Sequence, residues 1–143
     1  SDAGSNGITV TSHIIAAPSI GKKTAARLTR VGVFTIGDLL EADADALAEE
    51  IGQRHIPADV IRDWQDQTRL KLALPHLRVH DVQILVGAGV RNVPDLAAAS
   101  ARELLNAALE FAETPGALRI IKPEHAPTSD EVDEWIEAGR SAA

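Results

Sequence analysis

The sequence predicts an all-α, compact domain of about eight to ten short helices, built from two copies of one helical unit. Three observations carry that expectation. First, residues 17–51 and 74–108 align without a gap, so that Pro18 answers to Pro75, Ile20 to Leu77, Leu28 to Leu85, Gly32 to Gly89, Asp38 to Asp95 and Leu47 to Leu104. An ungapped repeat of this size means two copies of one supersecondary unit sharing apolar surface. Second, 45% of the chain is hydrophobic yet only 3% is aromatic, which suits helices rich in Ala and Leu better than a β-sandwich. Third, 143 residues leave room for one moderate core or two closely joined ones.

Local signals place the elements in order. Residues 1–12 begin with a small, polar stretch and are expected as a flexible leader. A first helix is expected over 22–31, with Thr24, Leu28 and Val31 on one face and Gly32 as the residue that stops it. Thr35 caps a short turn through Asp38, and Asp43 caps a helix to about Ile51. Pro57 opens a longer helix to about Leu72, carrying Val60, Ile61 and Trp64. This helix should end the first unit, residues 13–73, and lead into the second, residues 74–143. The second unit repeats the plan with a helix over 79–88 closed by Gly89, then a capping box from Ser100 to Glu103.

Beyond Phe111 the copies diverge. Thr114-Pro115-Gly116 breaks the helix, and Lys122-Pro123 and Ala126-Pro127 favour extended chain. Thr128-Ser129-Asp130-Glu131 is a further capping box, opening a last helix with Val132, Trp135 and Ile136 on one face. Ile61-x-x-Trp64 and Val132-x-x-Trp135 share a pattern, so the second copy carries a 14-residue insertion before its tryptophan helix. Both tryptophans are expected as core anchors.

Composition narrows the chemistry. With no cysteine, disulfides, thiolate catalysis and Cys-based zinc sites are excluded. No run approaches a membrane span or a signal peptide, so the chain reads as soluble and cytoplasmic. The absence of any methionine is read as the mark of a processed or excised chain. A net charge of −7 argues against coating nucleic acid with the whole surface. The charge is uneven, however. Between Ala3 and Gly37 there is no Asp or Glu, while Lys22, Lys23, Arg27 and Arg30 all fall there; the C-terminal end is acidic.

The copies differ most where the first reads Pro18-Ser19-Ile20-Gly21-Lys22-Lys23 and the second Pro75-His76-Leu77-Arg78-Val79-His80. A glycine turn leading into a helix exposes free N–H groups and the positive end of the helix dipole, an arrangement that attracts an anion. Lys22 and Lys23 add charge there, and Lys23, Arg27 and Arg30 continue it as a basic stripe. In Pro18, Ile20, Gly21, Ala25, Leu28, Gly32, Val33, Thr35, Asp38 and Leu39 the sequence resembles the helix-hairpin-helix superfamily. More closely, over residues 14–139, it resembles a tandem helix-hairpin-helix family of unassigned function, DUF4332-like. The superfamily resemblance implies sequence-independent binding of DNA backbone, and the closer family implies a fold of two tandem helix-hairpin-helix units with hardly any indication of function.

Ser19 stands where the superfamily usually has its first glycine, and in the second copy both glycines are replaced, by His76 and Arg78. That second turn is expected to be reshaped and structural, with Asp81 opposing any phosphate. The five histidines, His13, His55, His76, His80 and His125, are expected at the surface. His76 and His80 lack an evident third ligand, so no metal and no cofactor are expected. No nucleophile–base–orienter pattern appears, and the chain reads as non-catalytic, without a small-molecule substrate. The expected site is Gly21, Lys22, Lys23, Arg27 and Arg30 on DNA backbone. The alternative is a protein–protein adaptor or assembly subunit that has lost nucleic-acid binding.

Overall fold

The repeat visible in the sequence is carried into the helices of the computed structural model, which describes residues 7–122 and 125–143. The first unit holds α1 (Lys22–Arg30), α2 (Ile36–Glu41) and α3 (Ala44–Ile51). After α4 (Ala58–Ala73) come α5 (Val79–Gly87), α6 (Val93–Ala97) and α7 (Ala101–Ala112), each starting 57 residues after its counterpart. The last helix, α8 (Ser129–Ala142), is the counterpart of α4 at a displacement of 71. The protein is all-α and compact. Among the described residues there is no strand, only an isolated antiparallel bridge between His13 and Thr35.

The same side chains cap the same places in both copies. Thr35 Oγ1 accepts from the Asp38 N–H, while the Asp38 carboxylate accepts from the N–H groups of Phe34 and Thr35. In the second copy Asn92 accepts from the Asp95 N–H and Asp95 from the Arg91 N–H. Gly32 and Gly89 both close their helices at positive φ, 92° and 97°, which a side chain resists. Thr128 and Glu131 form the full reciprocal box at the start of α8. At α7 Ser100 accepts from Glu103, and the return bond from Glu103 is not made.

Two hydrophobic cores result, and α4 serves both. Its first half gives Ile61 and Trp64 to a core with Ile14, Leu28, Ile36 and Leu39. Its second half gives Leu70 to a core with Leu85, Leu96, Val132 and Trp135. Both tryptophans are buried, as expected of core anchors. Buried polar groups on α4 tie down neighbouring chain ends. Gln65 Nε2 donates to the carbonyls of Leu39 and Ala42 at the end of α2. Lys71 Nζ donates to the carbonyls of Pro75 and Leu77 in the second turn, and Thr68 Oγ1 to that of Trp64. Between the units, Arg91 pairs with Asp63 (2.8 Å) and Asp66 (2.7 Å) on α4.

Two stretches differ from the expectation. Residues 1–6 of the anticipated leader lie outside the described residues. The chain after them is anchored, because Ile8 packs on the first core and the carbonyls of Val10 and Ser12 accept from Gly37 and Ile36. The insertion after α7 is also more than extended chain. It makes a 3-10 turn, Ala117–Arg119, that puts Ala117 and Ile121 into the second core.

Candidate nucleic-acid interface

The chain enters α1 through a tight turn, and the residue that takes the left-handed conformation there is Ser19, at φ 69°. This corrects the expectation that Gly21 makes the turn. Gly21 lies at φ −94° and ψ −173°, extended backbone that any residue adopts. A left-handed serine is strained. Its hydroxyl offsets that strain by donating to Gln67 Oε1 (2.6 Å) and accepting from Gln83 Nε2 (2.9 Å), so side chains from α4 and α5 hold the turn. Among residue positions in the second copy, His76 has no positive φ, and the turn there is reshaped as expected.

Gly21 is the N-cap of α1 and offers no side-chain cap. A Cβ built on it would meet nothing within 4 Å, so a side chain at this position would have open space. The first helical hydrogen bond runs from Ala25 N–H to the Gly21 carbonyl, and the N–H groups of Lys22, Lys23 and Thr24 have no acceptor among the described residues. Lys22 and Lys23 are exposed and make no ion pair among the described residues. Of the eight α-helices described, seven carry an acidic residue in the first turn, and α1 carries none. Acidic first turns complement the positive end of the helix dipole. At α1 that complement is missing, and two lysines stand in its place.

The basic stripe is partly formed. Arg30 is exposed at the last turn of α1, on the outer face. Arg27 is half-buried, and its Nη1 donates to His55 Nε2 at 3.0 Å, which ties one of its amines to the protein. Ala25 and Leu28 form the buried face of α1.

The equivalent place in the second copy is filled by the protein's own charges. Arg78 replaces Gly21, and its N–H donates to the Asp81 carboxylate at 2.8 Å. Its guanidinium reaches both Asp81 (3.3 Å) and Glu131 (2.9 Å). These carboxylates hold the Arg78 pKa above its ordinary value. Asp81 is buried, with His80 Nε2 3.5 Å from it. His80, Asp81 and Glu131 bring three metal-ligating atoms within 4.8 Å of one another, a grouping that the His76–His80 spacing did not reveal. Arg78 already binds both carboxylates, so their oxygens are engaged by the protein's own cation.

No helix among the described residues is long and apolar enough to cross a membrane. No curated protein and no solved structure matches the chain. The family model described as "Domain of unknown function (DUF4332)" matches residues 18–142, which takes in Gly21, Lys22 and Lys23, both turns and both tryptophan helices. The chain belongs to that family.

Proposed function

We propose that this protein is a non-catalytic, cytoplasmic module of two tandem helix-hairpin-helix units that binds DNA backbone weakly and without sequence preference. The first hairpin makes the contact. Main-chain N–H groups of Gly21, Lys22 and Lys23 bond one phosphate, and the two lysine side chains neutralise it and its neighbour. Arg30 adds charge further along α1, with Arg27 contributing less because of its bond to His55. The observation that carries this reading is the N-terminus of α1, which alone among the described α-helices lacks an acidic first turn and instead bears two lysines without an ion pair among the described residues. A phosphate there gains both helix-dipole and charge-assisted bonds. No base-reading side chain is part of the proposal, since phosphate contacts position a protein without specifying sequence.

A charge reversal tests it. Replacing Lys22 and Lys23 together by glutamate is expected to abolish binding of duplex DNA in a low-salt anisotropy titration. Arg102→Glu, on the exposed face of α7, is the control and should change affinity much less. A wild-type protein without measurable affinity for duplex or single-stranded DNA at low salt would remove the proposal. The second reading, an adaptor that has lost nucleic-acid binding, draws support from the net charge of −7 and from the second turn, whose Arg78 is engaged by Asp81 and Glu131.

A further inference from the structure

The junction between the two units has an unfilled copy at the end of the chain. In the first unit a groove runs between the Ser19 turn and α4, and α5 covers part of it, leaving a cavity of about 520 Å³. Gln83 of α5 bonds Ser19, and Arg91, in the loop after α5, pairs with Asp63 and Asp66 of α4. Under this cover Asp63 and Asp66 are half-buried, and Gln67 and Leu70 are buried. In the second unit the same groove runs between the turn at Leu77 and α8, and it is open, with a volume of about 1110 Å³. Its floor is Leu77, Trp135 and Ala138. Glu134 and Glu137 stand at the positions of Asp63 and Asp66, both exposed and without an ion pair among the described residues.

The counterpart of α5 that could enter this groove is α1 of another molecule. α5 buries Val82, Ile84, Leu85 and Val86, whereas α1 buries only Ala25 and Leu28, and its second face is covered only at Arg27 by the bond to His55. That face carries Arg27 and Arg30 where α5 has Ile84 and Gly87. Phe34, at the place of Arg91, is 54% exposed, a large apolar side chain with no cover of its own. A basic face with an apolar corner matches an apolar groove with an acidic rim.

We infer that the open groove along α8 binds α1 of a second copy of this chain, repeating the α4–α5 junction between molecules. The contact is head-to-tail, with Arg27 and Arg30 of one copy facing Glu134 and Glu137 of the other, and it leaves each copy one free head or tail. It shares Arg27 and Arg30 with the proposed DNA contact but needs no nucleic acid, so a test without DNA reads it separately.

Sedimentation velocity on the full chain, without DNA, tests this. The wild type should self-associate with rising concentration at low salt and dissociate in about 0.5 M salt, where the Debye length falls to only a few ångströms. Glu134→Lys with Glu137→Lys, and separately Arg27→Glu with Arg30→Glu, should each weaken self-association more than about tenfold while leaving the helical circular dichroism unchanged. Mixing the two variants should restore association, because the unaltered head of one meets the unaltered tail of the other and reversed tail meets reversed head. A wild type that stays monomeric at low salt, or a mixture that behaves like the two variants alone, would overturn the inference.

Discussion

Arg69 and Arg140 make the same bond in the two copies. The Arg69 guanidinium donates to the Leu40 carbonyl at 3.3 Å, and that of Arg140 to the Ala97 carbonyl at 3.2 Å. The carbonyls lie 57 residues apart and the arginines 71, so the 14-residue insertion is absorbed before α8 without disturbing how the tryptophan helix meets the short helix beneath it. The insertion turns back through Ala117 and Ile121, and the helix that follows docks as α4 does.

Because Trp64 and Trp135 anchor different cores, their removal should be felt separately. Trp64→Ala and Trp135→Ala are each expected to destabilise the protein by about 3–5 kcal/mol, the usual cost of truncating a buried aromatic. Urea denaturation followed by circular dichroism measures both. A loss under about 1 kcal/mol at either position would contradict the assignment of that side chain to a packed core.

Lys71 is the buried cation of α4, and burial lowers its pKa while Asp81 partly opposes the shift. Lys71→Met leaves the Pro75 and Leu77 carbonyls without their donor and should cost about 1–3 kcal/mol at neutral pH. The pH dependence has a definite sign. The folded protein gives up the Lys71 proton at lower pH than the unfolded chain, so within that window the unfolded state binds more protons and stability rises with pH. The stability of the wild type relative to Lys71→Met should therefore increase as pH rises toward the ordinary lysine value. The chain has no Tyr or Cys, so no phenol or thiol titrates across this range. A difference that falls with pH would contradict the direction.

Gly139 of α8 lies directly against Leu96 of α6. A Cβ there would lie 2.7 Å from Leu96 Cγ, with Leu96 itself fully buried. Gly139→Val is expected to destabilise by about 1–3 kcal/mol through overpacking. A thermal melt indistinguishable from wild type would show that the crossing has slack the structure does not contain.

Much of this was legible in the sequence because it is local and repeated. Thr35, Asp43 and Thr128 cap the helices assigned to them, Gly32 and Gly89 end theirs, and the boundaries of α1 and α5 fall within a residue of those expected. The helix after Pro57 serves both cores, as its position between the copies implied. The rest depends on contacts between distant residues. Nothing near Ser19 in sequence says that it will be left-handed, since its hydroxyl partners are 48 and 64 residues away. Likewise the meeting of His80 and Asp81 with Glu131 is made by the docking of α8, and the half-burial of Arg27 by His55. Glycine tolerates positive φ, which points to Gly21 as the turn residue, but Gly21 is extended and is the N-cap of α1, with no side chain to cap it.

Gly21 therefore separates stability from binding. Asp is a strong N-cap and complements the helix dipole, so Gly21→Asp should stabilise the protein by a few tenths of a kcal/mol or leave it unchanged. The same carboxylate would occupy the N–H groups offered to phosphate and repel it, so DNA binding should be lost. Thermal melts and anisotropy on one preparation read both effects. Retained affinity in this variant would contradict the use of the α1 N-terminus as the contact.

The most direct measurement is the salt dependence of DNA affinity for the wild-type protein. A single hairpin that neutralises about two to four phosphates predicts a log–log slope of about −2 to −4, the same for unrelated duplex sequences. Replacing Lys22 and Lys23 by glutamine should flatten that slope by about two, one for each phosphate-neutralising charge removed. A slope near zero, or one unchanged in the glutamine variant, would contradict the assignment of backbone binding to the first hairpin.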